Sequence, residues 1–255
     1  MKDFGFTFNG RNSLELGVWT LNVDRPLLPS VTTKMMTIPE RHGAHYFGYQ
    51  YEPLEIKVSI AFDDPDLVGV QEKRHTIADW LNPEASLQPL IFDDEPDKQY
   101  VAVLSKDSEL AQTLTLGKGE LTFLVPDPFA YAVSDDVFTY TGAGAYSFDR
   151  QGTVDSYPLI ELQGTNAPSD RISISLNDSH LSFLGTLNGG DTLILDSNLL
   201  TAKINRADGT VVSAMNDINN LDFPITVPGS NQLDISPTGA STVTFFKITC
   251  RSRWI

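Results

Sequence analysis

Hydrophobic and polar residues alternate with a period of two in several short segments, a pattern typical of β-strands with one buried face. These segments are residues 54–60, 120–125, 171–176, 191–195 and 242–245. Turn-forming residues separate several of them, and Asp208-Gly209 predicts a hairpin with a type I′ turn. The chain is therefore predicted to be mainly β, and the closely spaced strands of residues 134–255 predict an antiparallel sandwich.

One segment has helical spacing instead. Asp64 is placed to cap a helix, Pro65 suits its first position, and Asn82-Pro83 is expected to end it. One apolar stripe is formed by Leu67, Val70, Ile77 or Ala78, and Leu81, with Trp80 close to it. This stripe predicts a single helix packed on a sheet.

A change in composition divides the chain into two predicted domains. Nine glutamates occur in residues 1–133, and residues 134–255 contain only Glu161. The second part is instead rich in Ser, Thr, Asn and Gly. We therefore predict domains at 1–133 and 134–255.

Charge and cysteine content narrow the classes of function. The formal net charge is -15, and no basic run is present, so binding to nucleic acid is not expected. The acidity is explained by solubility alone, or by a channel that lets DNA slide past. The single cysteine, Cys250, cannot form an intramolecular disulfide, and the sequence contains no signal-peptide or membrane-spanning pattern. Folding in the cytoplasm and no membrane partner are expected.

No catalytic, cofactor or metal motif is found. His42 and His45 are three residues apart without further ligands at the spacing that zinc requires. The acidic run at 93–97 lacks the glycine and closing glutamate of an EF-hand loop, so a solvated turn is favoured over a calcium site. Nucleophile-elbow and phosphate-binding glycine patterns are also absent. A hydrolase would need a carboxylate pair in a cleft, which the sequence alone does not identify.

Several short motifs, taken in order, carry a resemblance to a known family. In the first part they are 6–10, Ser13, 16–18, 38–43, Trp80-Leu81, 92–96 with Tyr100, and 127–131. In the second part they are Gly152-Thr153, 157–164, 193–197, Phe223-Pro224 and 228–231. Together they resemble the distal tail proteins (Dit) of long-tailed siphophages. Glu40 stands where that family usually has glycine, and because glutamate disfavours positive φ, the backbone of this loop is expected to differ.

The resemblance implies a structural protein of the virion tail tip and not an enzyme. It implies an N-terminal β-sandwich-type domain with one helix that closes into a homo-hexameric ring, and a galectin-like C-terminal β-sandwich. The implied partners are the major tail tube protein, the tail-associated hub protein and a receptor-binding protein. DNA would pass through the lumen of the ring without specific binding, and no cofactor is implied.

The candidate interface residues lie in one aromatic segment, at 39–51. They are Arg41, His42, Tyr46, Phe47, Tyr49 and Tyr51. The segment is either a contact with another subunit or the tail tube, or a long hairpin packed on its own domain. A second function left open is glycan binding by the C-terminal sandwich, although Trp254 is the only tryptophan there that could stack on a sugar.

Overall fold

The chain forms two compact units in a computed structural model that describes residues 4–64, 67–82, 86–105, 109–113 and 116–255. The first unit runs to Val133 and includes Ile255, and the second is Ser134–Trp254. Antiparallel strands dominate both units, so the predicted mainly β class is confirmed. In the described part of the chain, no helix has the length and apolar character needed to cross a membrane.

Within its described residues, the first unit contains eleven strands and one α-helix. They are β1 Phe6–Phe8, β2 Arg11–Asn12, β3 Val18–Asp24, β4 Val31–Met36, β5 His45–Tyr51, β6 Leu54–Asp63, α1 Leu67–Trp80, β7 Gln88–Phe92, β8 Lys98–Leu104, β9 Glu109–Thr113, β10 Leu116–Val125 and β11 Ala130–Ala132. One antiparallel sheet has the order β2-β1-β7-β8-β10-β6-β3, with β9 beside β10 and β11 beside β8. Strands β4 and β5 form a separate two-stranded sheet.

Helix α1 packs on the core of this sheet through Val70, Ile77, Trp80 and Leu81, which are buried. The Trp80 ring stacks on Phe6 with centroids 5.3 Å apart, and its indole N–H donates to the carbonyl of Phe8 at 2.8 Å. The apolar stripe is thus confirmed at Val70, Ile77 and Leu81, with Ile77 and not Ala78 on the buried face, while the side chain of Leu67 lies outside the described part of the chain. The predicted Pro65 and Pro83 boundaries lie outside the described residues.

The second unit is a sandwich of two antiparallel sheets around one core. Its strands are β12 Asp136–Tyr140, β13 Gly144–Arg150, β14 Leu159–Thr165, β15 Ile172–Leu176, β16 Ser179–Phe183, β17 Thr192–Asp196, β18 Thr201–Asn205, β19 Val211–Ser213, β20 Ile218–Asn219, β21 Gly229–Pro237, β22 Thr242–Cys250 and β23 Arg253–Trp254. The sheet orders are β12-β22-β14-β17-β18-β19 and β13-β21-β15-β16-β20. Both sheets contribute alternate residues to the same buried cluster. Cys250 lies in this core, where burial raises its pKa to about 12, so its thiol is unreactive.

One hairpin turn differs from expectation. Between β18 and β19, Gly209 alone of the turn has positive φ, and its N–H donates to the carbonyl of Arg206 at 3.0 Å. The hairpin is confirmed, but a type I′ turn needs positive φ at Asp208 as well, so that turn type is wrong. The type I′ turn occurs instead at Asn9-Gly10, where φ is 49° and 72° between β1 and β2.

Candidate assembly interface

The two-stranded sheet of β4 and β5 exposes apolar side chains on all sides. All six residues of β4 are exposed, and so are five of the seven residues of β5. The exposed fractions of the large side chains are Val31 50%, Met35 62%, Met36 53%, Ile38 39%, Tyr46 59%, Phe47 62% and Tyr49 55%. A two-stranded hairpin alone is marginal in water, and exposed apolar patches mark interaction sites. Most side chains of this hairpin are therefore not covered by their own unit.

The tip of the hairpin is a tight turn with an unusual residue. The N–H of Arg41 donates to the carbonyl of Ile38 at 3.2 Å, and Pro39 and Glu40 are the two central residues. Glu40 has φ of 62°, the left-handed conformation that the third residue of a type II turn requires. The expectation that glutamate would avoid this conformation is wrong, because Pro39 and the closing hydrogen bond impose the turn.

The candidate basic residues cluster beside this turn. The Arg41 guanidinium lies 3.3 Å from Nε2 of His45. Arg41, His42 and His45 line a small open pocket of about 140 Å³, together with Ile38, Gly43 and Ala44. The structure thus brings Arg41 and His42 together with His45, a residue that was not among the predicted interface residues.

The candidate aromatic residues continue along β5 toward the body of the unit. The Tyr49 and Tyr51 rings are in edge contact at 5.2 Å, and their hydroxyls are 3.4 Å apart. This hydrogen bond is the main cause that raises the pKa of Tyr51. Tyr51 also contacts the ring of Phe129 edge-on at 5.8 Å, so the root of the hairpin is anchored on its own unit. Tyr46 and Phe47 lie beyond this anchor.

The acidic run at 93–97 fixes the root of the hairpin and the start of the chain. Asp93 accepts the N–H of Gly5 at 2.9 Å and the side-chain amide of Asn12 at 3.2 Å. Asp94 and Glu95 both bind the guanidinium of Arg25, which lies 4.8 Å from the centre of the Phe92 ring. Arg25 is the residue that leads from β3 into the hairpin connection, so these ion pairs set where the hairpin leaves the sheet.

Part of the exposed apolar surface was not predicted from the sequence. Met35, Met36 and Val31 come from β4, and Leu27 in the connection before it is 91% exposed. The only sequence signal for this surface is the pair Leu27-Leu28 between Pro26 and Pro29. Prolines keep such a segment extended, so an apolar pair within it has no neighbouring turn of helix or paired strand to pack against. In the described residues, no group of three or more His, Cys, Asp or Glu side chains could hold a metal ion.

Known proteins share parts of this sequence pattern and this fold. Residues 15–125 match the model of the phage tail protein RIFT-related domain family. Among solved structures, the SPP1 Dit (gp 19.1) protein, described as a paradigm of the hub adsorption apparatus in phages infecting Gram-positive bacteria, aligns with a TM-score of 0.79 at 15% identity, over 100% of both chains. Two structures of the phage p2 baseplate in its activated conformation, with Sr and with Ca, align at TM-scores of 0.47 and 0.49, identities of 9% and 10%, and 96% and 97% coverage of the two chains. None of the curated protein sequences matches. The resemblance to the distal tail proteins is confirmed.

Proposed function

We propose, from the phage tail RIFT-related domain at residues 15–125 and the fold shared with SPP1 Dit, that this chain is a non-enzymatic tail-tip adaptor. Six copies close into a ring that joins the tail tube to the tail-associated hub protein. DNA passes through its lumen without specific binding. The C-terminal sandwich of residues 134–255 is the proposed attachment point for a receptor-binding protein.

The observation that carries the proposal is the exposed hairpin of β4 and β5. It is a sheet of two strands, and no described residue adds a third strand to either of its long edges. It also exposes tyrosines, methionines and a phenylalanine, and aromatic and methionine side chains are enriched in protein interfaces. In a monomer, the unpaired edges and exposed apolar side chains of this hairpin could pair with other chains and cause aggregation. A specific partner that covers the hairpin removes this hazard.

A ring is the simplest closed arrangement for such a contact. In the proposed ring the hairpin docks on a different surface of the next copy, which makes the contact heterologous, and heterologous contacts either close into rings or grow into fibres. The net charge of -15 suits a lumen through which DNA slides, because acidic side chains repel phosphates.

The proposal is tested by the mass of the purified protein at micromolar concentration, alone and with its tube protein. We expect particles of six times the monomer mass by mass photometry, and rings with an open centre by electron microscopy. A species that stays monomeric in both preparations would contradict the proposed ring.

A further inference from the structure

A β-bulge in the hairpin sorts its side chains onto two unlike faces. In β4, the alternate residues Val31, Thr33 and Met35 lie on one face, because successive residues of a strand point to opposite sides. Their partners in β5 are Tyr51, Tyr49 and Tyr46, respectively. Paired residues of an antiparallel sheet share a face. All three tyrosines therefore lie on one face, which we name the tyrosine face.

The bulge places Tyr46 on the same face as Tyr49 and Tyr51. Tyr46 and Tyr49 are three apart and would lie on opposite faces of a regular strand. The register shifts between Thr33 and Met35, where Lys34 faces the extra residue at Phe47-Gly48, and Gly48 has φ of 103°. Such an extra residue re-aims the side chains that follow it.

The two faces differ in chemistry. The tyrosine face has six members, none of them charged: Val31, Thr33, Met35, Tyr46, Tyr49 and Tyr51. The opposite face carries Lys34 together with the pairs Met36–His45 and Thr32–Gln50. Large exposed apolar side chains occur on both faces, so their number does not distinguish one face from the other. The faces differ in charge, because only the opposite face carries a charged side chain, that of Lys34.

Charge also indicates the occupant. In residues 31–51 Lys34 and Arg41 outnumber the single acid Glu40, so the hairpin carries +1 and the other residues carry -16. A second copy of this chain is thus an acidic partner for a weakly basic hairpin. Opposite charges steer association, while a face without charge can be buried without the desolvation penalty of an ion.

We infer that the tyrosine face is the part of the hairpin that docks on a second copy of this chain, with Arg41 in the turn at the hairpin tip facing acidic groups of that copy. This inference rests on the proposed ring and adds which face makes the contact. Tyr51 anchors the face at the root through Phe129, and Tyr46 and Tyr49 are the side chains that the second copy covers. The opposite face stays available to other tail proteins.

Paired variants test this inference on the full chain. Tyr46→Ser with Tyr49→Ser removes two exposed aromatic rings from the tyrosine face. The matched control, Met36→Ser with Phe47→Ser, removes two equally exposed apolar side chains outside that face. Mass photometry across a concentration series should show at least a tenfold weaker assembly for the tyrosine variant and less than a threefold change for the control. Far-UV circular dichroism and urea unfolding verify that both variants fold.

A third variant tests the bulge itself. Inserting one threonine after Lys34 gives every residue of β5 a partner in β4 and removes the bulge. Tyr46 is three residues from Tyr49, so regular alternation then moves it to the opposite side, and assembly should weaken as in the tyrosine variant. If the control loses assembly as strongly as the tyrosine variant, or if neither variant changes it, the face assignment is overturned while the ring stands. If the wild-type chain itself never assembles, the proposed ring and the face assignment fall together.

Discussion

The β4–β5 hairpin and the sandwich of the second unit use similar residues in opposite ways. In the sandwich, β22 places Phe246 and Ile248 in a core shared by two sheets, and its alternate residues face outward. In the hairpin, Phe47 is 62% exposed and no second sheet among the described residues covers it. Side chains of one type thus stabilise the fold in one region and remain available for a partner in the other. The difference is topological and not compositional.

The largest effect that this comparison predicts separates two phenylalanines. Phe246→Ala opens a cavity in the sandwich core, where Phe246 is 0% exposed, and should lower the free energy of unfolding by about 3–5 kcal/mol. Phe47→Ala in the hairpin should change the stability of the monomer by less than about 0.5 kcal/mol. Urea unfolding at a concentration that keeps the protein monomeric measures both. Similar losses for the two variants would mean that Phe47 is packed within its own chain.

A smaller effect tests a buried carboxylate that holds two turns of the sandwich together. Asp191 accepts backbone N–H groups of Asn188 and Ala207, both at 3.0 Å, and pairs with Arg206 at 2.7 Å. Burial alone would raise the pKa of Asp191, but these hydrogen bonds and the guanidinium outweigh it and lower the pKa. Asp191→Asn should therefore cost about 2 kcal/mol at neutral pH.

The sign of the pH dependence follows from that lowered pKa. A carboxylate whose folded-state pKa lies below its unfolded value of about 3.9 contributes stability above that pH, and the contribution is lost as pH falls through the folded value. Urea unfolding at pH 7 and again below pH 4 should thus show the gap between wild type and Asp191→Asn shrinking in acid. The exposed Asp178→Asn is the matched control and should change stability little at either pH. A gap that widens in acid would contradict this assignment.

The smallest effect concerns the root of the hairpin. Arg25→Ala removes partly exposed ion pairs to Asp94 and Glu95, so the global stability should fall by no more than about 1 kcal/mol. Amide hydrogen exchange in residues 31–51 should nevertheless accelerate, because the hairpin loses one of its attachments to the sheet. Lys57→Ala, which removes an exposed pair with Glu120 at 3.9 Å, is the control and should leave hairpin exchange unchanged. Unchanged exchange in Arg25→Ala would show that Tyr51 and Phe129 hold the root alone.

Local patterns in the sequence predicted the regular elements well. Alternation identified β6, β10, β15, β17 and β22, because each buries one face against a core within its own unit. The spacing of Val70, Ile77 and Leu81 identified the buried side of α1 for the same reason. Turn types were less predictable. Asn9-Gly10 and Asp208-Gly209 are both strong turn pairs, but the number of residues between the paired strands decides which becomes type I′.

The candidate site was predictable only in part. Its aromatic composition pointed to residues 39–51, but whether the segment is covered depends on which elements lie beside it, and that is a non-local property. The left-handed conformation of Glu40 and the bulge at Phe47-Gly48 were also not predicted from the sequence, because turn closure and strand register override the preferences of single residues. The role of the acidic run at 93–97 required its partner Arg25, about seventy residues away in sequence.

Hydrogen exchange compared between dilute and assembled protein tests the central claim most directly. If the hairpin is the contact between copies, amides of residues 31–51 should become protected as the concentration rises through the assembly range. The strands β14, β17 and β22 of the sandwich, which are already paired on both sides, should exchange at the same rate in both samples. Assembly that leaves the hairpin amides as fast as in the monomer would contradict the account.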